Sequence, residues 1–325
     1  MGDDEPEGLT YAAAGVDIEA SEDATAALLE AFGSGVSTAY AGLLDIGDRY
    51  LALATDGVGT KILVAEAVGD FSTIAIDCVA MNANDLVAAG VEPVAFVDYL
   101  AMDEPDDTLT TEIGRGLATA LETAGLTLLG GETAVMPEVV KGFDLAGTCA
   151  GLAPKDAIFE GEASVGDVLV GFPSNGIHSN GLTLAREAIT RSHEYADPFP
   201  PEPDRTIGEE LLRPTALYTD LLEPLREHEV RAAAHVTGGG WTNLSRMGEH
   251  RYDIDDPLPA QPIFGFVQET GAIATAEMHR TFNMGTGFVV AVPEQRADGL
   301  VTATNGQRIG RVEAGDCVAI RGLEL

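Results

Sequence analysis

The string TDGVGTK, Thr55–Lys61, places a carboxylate, two glycines and a lysine within seven residues, directly after the apolar run YLALA. Glycines let backbone N–H groups approach an anion closely, and a lysine adds a compact positive charge. A phosphate beside Asp56 is repelled unless a cation lies between them. A binding role for Asp56, Gly57, Gly59, Thr60 and Lys61 therefore brings Mg²⁺ with it. The string is not a Walker A loop, because only Val58 separates the glycines and Ile62 follows Lys61 where that loop needs Ser or Thr. Taken alone, it also reads as an ordinary turn at a strand end.

Further groups of the same chemical type lie downstream. STIAIDCVAMNANDLVAAG, Ser72–Gly90, is apolar nearly throughout and ends in a glycine, which predicts a buried helix. At about 100° per residue, Asp77, Met81, Asn84 and Asp85 share one arc of roughly 100°. Carboxylates on such a helix are costly unless paired or bound to metal. A polar stripe facing solvent is the simpler alternative. Glu132 follows the pair Gly130–Gly131 in GGETAVMPE. Together Asp56, Asp85 and Glu132 make three separated carboxylates, a set that suits Mg²⁺ while leaving positions for phosphate oxygens and water.

PSNGIHSNG, Pro173–Gly181, joins a strand to a helix and offers Ser174, Asn175, Ser179 and Asn180 as short hydrogen-bonding side chains. The helix start that follows can receive an anion. His178 in its middle is a candidate for proton transfer or substrate binding, with a structural role equally open. HVTGGGWTN (His235–Asn243) and TFNMGTGF (Thr281–Phe288) add glycine-rich turns. Each alone is a tight turn; several in one chain point to a nucleotide-like ligand.

These residues must be positioned by elements that the sequence also outlines. Strands are expected at Arg49–Thr55, Glu92–Met102, Phe143–Pro154, Asp167–Ser174 and Arg231–Thr237. Leu126–Gly131 reads as a short buried strand running into a turn. Asp106–Gly125 has the pattern of an amphipathic helix with a glycine stop, and Asn180–Ser192 that of a second helix. DPFPPEPD (Asp197–Asp204) is a proline-rich surface loop. The polar, turn-rich stretch Lys155–Gly166 marks a boundary, giving domains 1–155 and 156–325 in a chain of 325 residues.

The formal net charge is −35, with 53 acidic against 18 basic side chains. Such a chain repels nucleic acid and acidic membranes, so neither is an expected partner. Its 45% hydrophobic content excludes a disordered acidic polymer. At about 1 M salt the Debye length falls to about 3 Å and self-repulsion is screened, which points to a salt-loving host. The start, MGDDEPEGLT, is an acidic tail without a signal-peptide pattern, and no apolar run has membrane-span length, so the cytoplasm is the expected location. Cys78, Cys149 and Cys317 are scattered and are expected to be reduced thiols. Lysine occurs only at Lys61, Lys141 and Lys155, so a lysine inside a glycine turn is not routine surface filling.

LTYAAAGVDIEA, TDGVGTK, AIDCVAMNANDLVAAGVEPVAFVDY, LLGGETAVMPE, SNGIHSNG, HVTGGG and RTFNMGTGF stand in the order seen in the phosphoribosylformylglycinamidine cyclo-ligase (AIR synthetase) family, which the chain resembles from about Leu9 to its end. The resemblance implies an α+β, two-domain AIR-synthase fold. In it, a mixed α/β N-terminal domain contributes strands to a barrel shared by a homodimer, and the C-terminal domain is α+β. It implies ATP and Mg²⁺, admits K⁺, and implies a small nucleotide substrate whose formyl amide is activated by ATP before the imidazole ring closes.

The resemblance further implies that Asp56, Gly57, Gly59, Thr60, Lys61, Asp77, Asn84, Gly130, Gly131 and Glu132 contact the cofactor. Ser174, Asn175, His178, Ser179, Asn180, Thr237, Gly238, Gly239 and Asn283 would contact the substrate, and Asp56, Asp85 and Glu132 the metal. His178, Lys61 and Asp56 would carry the chemistry, with His178 as acid/base. Ser21–Asp45 departs from the family in lacking lysine and having few glycines. The rivals are another ATP-using member of the superfamily, kinase-like or synthetase-like, and a non-catalytic nucleotide-binding subunit.

Overall fold

A computed structural model describes residues 8–16, 18–32, 40–159 and 161–325. The acidic start at 1–7, and 33–39 within the divergent segment Ser21–Asp45, lie outside the described residues.

The first sheet contains β1 (Gly42–Asp45), β2 (Arg49–Gly57), β3 (Glu92–Met102), β4 (Thr127–Val135) and β5 (Phe143–Pro154), in the order β1-β2-β5-β3-β4. The strands alternate as half-buried strands must. In β2, Ala52 and Ala54 are buried while Leu53 and Thr55 are exposed, and in β5 the odd positions from Phe143 to Ala153 face inward. Register sets Asp56, Gly147, Asp98 and Gly131 in one row across four strands.

Two of the helices around this sheet are α3 (Ile74–Ala88), which follows the short α2 (Ile62–Val68), and α4 (Asp107–Ala124). Helix α4 starts and stops where its sequence signals lie. Asp106 caps its N-terminus by accepting from the Thr108 and Leu109 N–H groups, and Gly125 ends it at φ 70°. Helix α3 packs against β2, β3, β5 and α4, so that Asp77, Asn82 and Asn84 are buried with their apolar neighbours.

One expectation needs correction. Leu126–Gly131 is not a short buried strand. The strand β4 runs to Val135, forms the edge of the sheet and is exposed almost throughout, with Leu129 at 70%. Leu53, Val97 and Tyr99 on the outer sheet face are exposed as well. Apolar sequence reports that a strand seeks cover but not whether its own chain supplies it.

The second sheet comprises β6 (Val168–Pro173), β7 (Ala232–His235), β8 (Arg251–Ile254), β9 (Thr286–Val292), β10 (Gln307–Glu313), β11 (Cys317–Ile320) and β12 (Leu323–Glu324), in the order β12-β11-β8-β10-β6-β9-β7. Every residue of β9 is buried, as its unbroken apolar run requires. Helix α5 (Leu182–Thr190) follows the 174–181 loop and packs on the helix Pro262–Gly271. Cys78 and Cys149 are buried free thiols, and Cys317 is free and half-buried. Among the described residues, no helix is long and apolar enough to cross a membrane.

The two layers meet across residues 212–218, a strap without regular secondary structure. Extended backbone buried between layers needs partners for its polar groups, and side chains supply them. From the first layer, Thr73 Oγ1 donates to the Leu212 carbonyl (2.8 Å), Lys61 Nζ to the Arg213 carbonyl (2.6 Å) and Asn84 Nδ2 to the Ala216 carbonyl (2.9 Å). Asp77 Oδ1 accepts from the Thr215 N–H (2.7 Å) and hydroxyl (2.6 Å), and Asn84 Oδ1 from the Tyr218 N–H (2.9 Å). Lys61 and Asp77 form an ion pair at 2.8 Å with both side chains fully buried. Removing one partner of such a pair strands the other charge, so Lys61→Met is expected to destabilise the fold by about 3–5 kcal/mol in urea titration; a loss under about 1 kcal/mol, the value for an exposed pair, would contradict this.

Candidate active site

A cleft of ≈ 380 Å³ opens between the turn that ends β2 and the loop that starts α5. Asp56, Gly57, Gly59 and Thr60 form one wall, and Ser179, Asn180 and Thr183 the other. The walls touch where Thr60 Oγ1 and Thr183 Oγ1 share a hydrogen bond of 2.9 Å. Gly59 has φ +73°, a left-handed conformation that makes glycine the natural residue there. Tyr11 also lines the cleft, and its N–H donates to Glu277 at 2.7 Å, tying the N-terminal segment to the second layer.

Asp56 lines the cleft and is exposed as a residue. Its own Oδ1 accepts the Gly57 N–H at 2.7 Å, and Asn82 donates to its carbonyl. Partial desolvation, reinforced by the charge of Asp85, pushes its pKa up to about 6. Asp85 accepts a 2.9 Å hydrogen bond from His235 Nδ1, and Asn84 Nδ2 lies 3.3 Å from His235 Nε2. The amide can only donate there, so the network puts the ring proton on Nδ1, aimed at Asp85. The Tyr40 hydroxyl donates to the His235 carbonyl at 3.2 Å, and the Arg246 guanidinium stacks 4.7 Å from the Tyr40 ring centroid.

The sequence points to the glycines after His235 but not to His235, Tyr40, Arg246 or Tyr11. His235 and Tyr11 belong to strings already noted, HVTGGG and LTYAAAGVDIEA. A histidine at the end of a buried strand carries no signal of its own, and the Tyr40–Arg246 stack joins residues too far apart in sequence to suggest one another.

Several residues expected at the site are turned into the protein by packing. Lys61 does not reach the cleft. Its ammonium is consumed by Asp77 and the strap, and burial pulls it below its usual range against the opposing charge of Asp77. Asp77 and Asn84 are likewise spent on the strap. His178 is buried, and its Nε2 accepts from the Asn175 N–H (3.0 Å) and the Ala216 N–H (3.3 Å). Burial first, then His235, Lys61 and Arg213, hold it well below its usual range. Its Nε2 is occupied by these two N–H groups, while its buried Nδ1 has no hydrogen-bond partner among the described residues.

Asn175 donates to the Pro214 carbonyl at 3.4 Å, and Ser179 Oγ lies 3.2 Å from Thr215 Oγ1. Ser174 and Asn283 are buried in each other's company at 2.8 Å, and Asn283 Nδ2 donates to the Gly176 and Ile177 carbonyls, so they frame the loop from inside. Gly238 does approach the cleft, since a Cβ there would sit 3.2 Å from Asn180 Oδ1. Next to it, the Thr237 carbonyl accepts the Gly240 N–H, and Gly239 turns at φ +90°.

Glu132 does not join Asp56 and Asp85 within this chain. It pairs with Tyr99 in the sheet and so faces the outer side with that ring, whereas Asp56 and Asp98 share the helix side. Three strand spacings, about 14 Å, separate β4 from β2. Gly130 and Gly131 lie on the same exposed edge strand, and Gly131 has no room for a Cβ beneath Asp98 Oδ1. Among the described residues, no three His, Cys, Asp or Glu groups form a set able to hold a metal ion. The carboxylates that line the cleft are Asp56 and Asp144, and Asp85 lies close enough to Asp56 for its charge to act on it. Magnesium is commonly held by one or two carboxylates together with substrate phosphates, so Asp56 with Asp85 or Asp144 fits the ion.

Comparison with known proteins places this geometry. Residues 38–153 match the family described as AIR synthase related protein, N-terminal domain, and residues 164–322 its C-terminal domain. The phosphoribosylformylglycinamidine cyclo-ligase of Methanosarcina barkeri is 48% identical over 315 residues, 94% of this chain and 95% of that one. The protein of the same name from Pyrococcus furiosus is 46% identical, covering 88% and 89%. Among solved structures, tt0281 from Thermus thermophilus superposes with TM-score 0.66 at 25% identity, over 94% of this chain and 97% of that one. Thiamine monophosphate kinase from Aquifex aeolicus gives 0.69 at 17% identity, over 95% and 99%, a likeness of fold. The chain belongs to the phosphoribosylformylglycinamidine cyclo-ligase family.

Proposed function

We propose that this chain closes an imidazole ring at the expense of ATP, converting formylglycinamidine ribonucleotide to aminoimidazole ribonucleotide with release of ADP and phosphate. The observation that carries the reading is near full-length similarity to cyclo-ligases, combined with a cleft that unites DGVGT, Asp144 and SN of SNGIHSNG, with Asp85 close to Asp56. The formyl amide oxygen attacks the γ-phosphorus of ATP, and ADP departs. The amidine nitrogen of the same substrate then attacks the activated carbon. The C–N bond forms, the C–O bond breaks, phosphate leaves, and proton loss completes the ring. Both reacting groups sit on one molecule, so the protein's task is orientation more than nucleophile activation.

In this reading Asp56 and Asp85 hold Mg²⁺, which supplies charge neutralisation at the triphosphate when bound. His235 orients Asp85 through its Nδ1–H. Arg246, held flat on Tyr40, supplies the phosphate contact that Lys61 cannot. Ser179, Asn180 and Gly238 face the substrate. The test is a coupled assay with formylglycinamidine ribonucleotide, ATP and Mg²⁺ at high and low KCl. Substrate-dependent ADP release with imidazole product, rising with KCl in a salt-rich cytoplasmic enzyme, is expected. ADP release without imidazole would indicate a kinase-like relative, and ATP binding without turnover a silent subunit.

Asp56→Asn removes the cation's anchor, a loss of about 10²-fold or more in turnover. Because burial raises Asp56 to about 6, its ionised form is disfavoured by folding, and that cost is present above this pH and relieved as pH falls through it. The same protonation removes the metal ligand. So kcat/KM is expected to fall below about pH 6, and Asp56→Asn to raise the Tm of the metal-free protein at pH 8. A wild-type kcat with unchanged Mg²⁺ dependence in Asp56→Asn would remove the metal assignment.

The uncovered sheet face, with Leu53, Val97 and Tyr99 exposed between edge strands β1 and β4, supports a homodimer formed through it. Apolar faces of this kind seek a partner, and edge strands offer unpaired hydrogen-bonding groups. Leu53→Asp is expected to sediment as a monomer in KCl where the parent is a dimer; an unchanged dimer would place the interface elsewhere.

A further inference from the structure

The cleft walls are continuous in sequence with the residues that grip the strap at 212–218. On one side Thr60 lines the cleft and the next residue, Lys61, is buried on the Arg213 carbonyl. On the other, Asn180 lines the cleft, while His178 accepts from Ala216 N–H and Ser179 meets the Thr215 hydroxyl. Thr215 is the meeting point. It is 2% exposed, its N–H and hydroxyl both go to Asp77 of the first layer, and its hydroxyl also pairs with Ser179 of the second. The strap is thus joined to one wall through Lys61, one residue behind Thr60, and to the other through His178 and through Ser179, itself a wall residue.

We propose that this strap sets the separation of the two cleft walls before ligand binds, with Thr215 as the positioning residue that couples them. The inference rests on the reading of the cleft as the site for ATP and its phosphorylated co-substrate. A ligand that must bridge both walls binds only the fraction of molecules whose walls are in register, and its apparent affinity falls by that fraction. Once bound, the ligand itself spans the walls, and the chemical step proceeds as before. Loosening the strap therefore appears in KM and leaves kcat in place.

Thr215→Val keeps the volume and the backbone N–H and removes the hydroxyl that serves both layers. Losing a hydrogen bond to a charged group corresponds to about tenfold in apparent affinity. The expected result is a KM higher by about that factor for both ATP and the co-substrate, with kcat within about twofold, and recovery of most of the loss in Thr215→Ser. Thr73→Val, which removes the donor to the Leu212 carbonyl at the strap's start, is expected to raise both KM values less, and it carries the test where Thr215→Val does not fold. Unchanged KM values in these variants, a Ser variant as impaired as the Val variant, or a fall in kcat alone would overturn the proposal. Wild-type turnover is measured first, and its absence counts against the enzyme reading. The calorimetric dissociation constant of Mg²⁺–ATP for parent and variants tests the strap independently of turnover.

Discussion

The arrangement depends on one buried ion pair, Lys61 with Asp77. Two opposite charges without solvent stay charged only if each finds further partners. Lys61 finds the Arg213 carbonyl and Asp77 finds both polar groups of Thr215, so the pair cannot be satisfied within the first layer alone. It needs the strap from the second layer. Asn84 and His178 extend the same logic along the segment, meeting Ala216 and Tyr218. A stretch with no helix or strand of its own is thereby bonded on both sides, and the two sheets are held at a separation that leaves a cleft.

The cleft itself is acidic in a chain already at −35. With Lys61 buried, the lining offers the negative charge of Asp56 and Asp144 with Asp85 near Asp56, and Arg246 on Tyr40 is a cation on the His235 side. A polyphosphate enters such a site only with a metal ion. The raised pKa of Asp56 records the same fact from the protein's side: the carboxylate is held in a place where its charge is poorly solvated. Such a group is costly in the empty enzyme and useful when a cation arrives.

The elements are largely legible from sequence because their signals are local. Alternation and glycine stops give β3, β5 and α4 with near-matching ends, and the apolar run with a terminal glycine gives α3. The cleft residues Asp56, Gly57, Gly59, Thr60, Ser179 and Asn180 are legible for the same reason. What the sequence does not say is which polar residues of a motif face a ligand and which face the protein. Lys61 and His178 each stand one residue from a cleft residue, and a helical turn or a residue at φ +67°, as at His178, turns the side chain into the interior. Their partners, at Arg213–Tyr218, lie in a segment with no chemical signature, so nothing local announces it. The exposed face of β4, with Glu132 on the outer side, escapes a sequence reading because hydropathy does not separate a strand covered by its own chain from one awaiting another.

The central claim is that side chains from both layers make the strap as firm as the sheets. Amide hydrogen exchange tests it directly at Thr215, Ala216 and Tyr218, whose N–H groups are bound by Asp77, His178 and Asn84. These amides are expected to exchange only through global unfolding, with the same free energy and denaturant dependence as the core amides of β9. Exchange through local opening, faster by orders of magnitude and insensitive to low denaturant, would show that the strap is an ordinary loop and contradict the account.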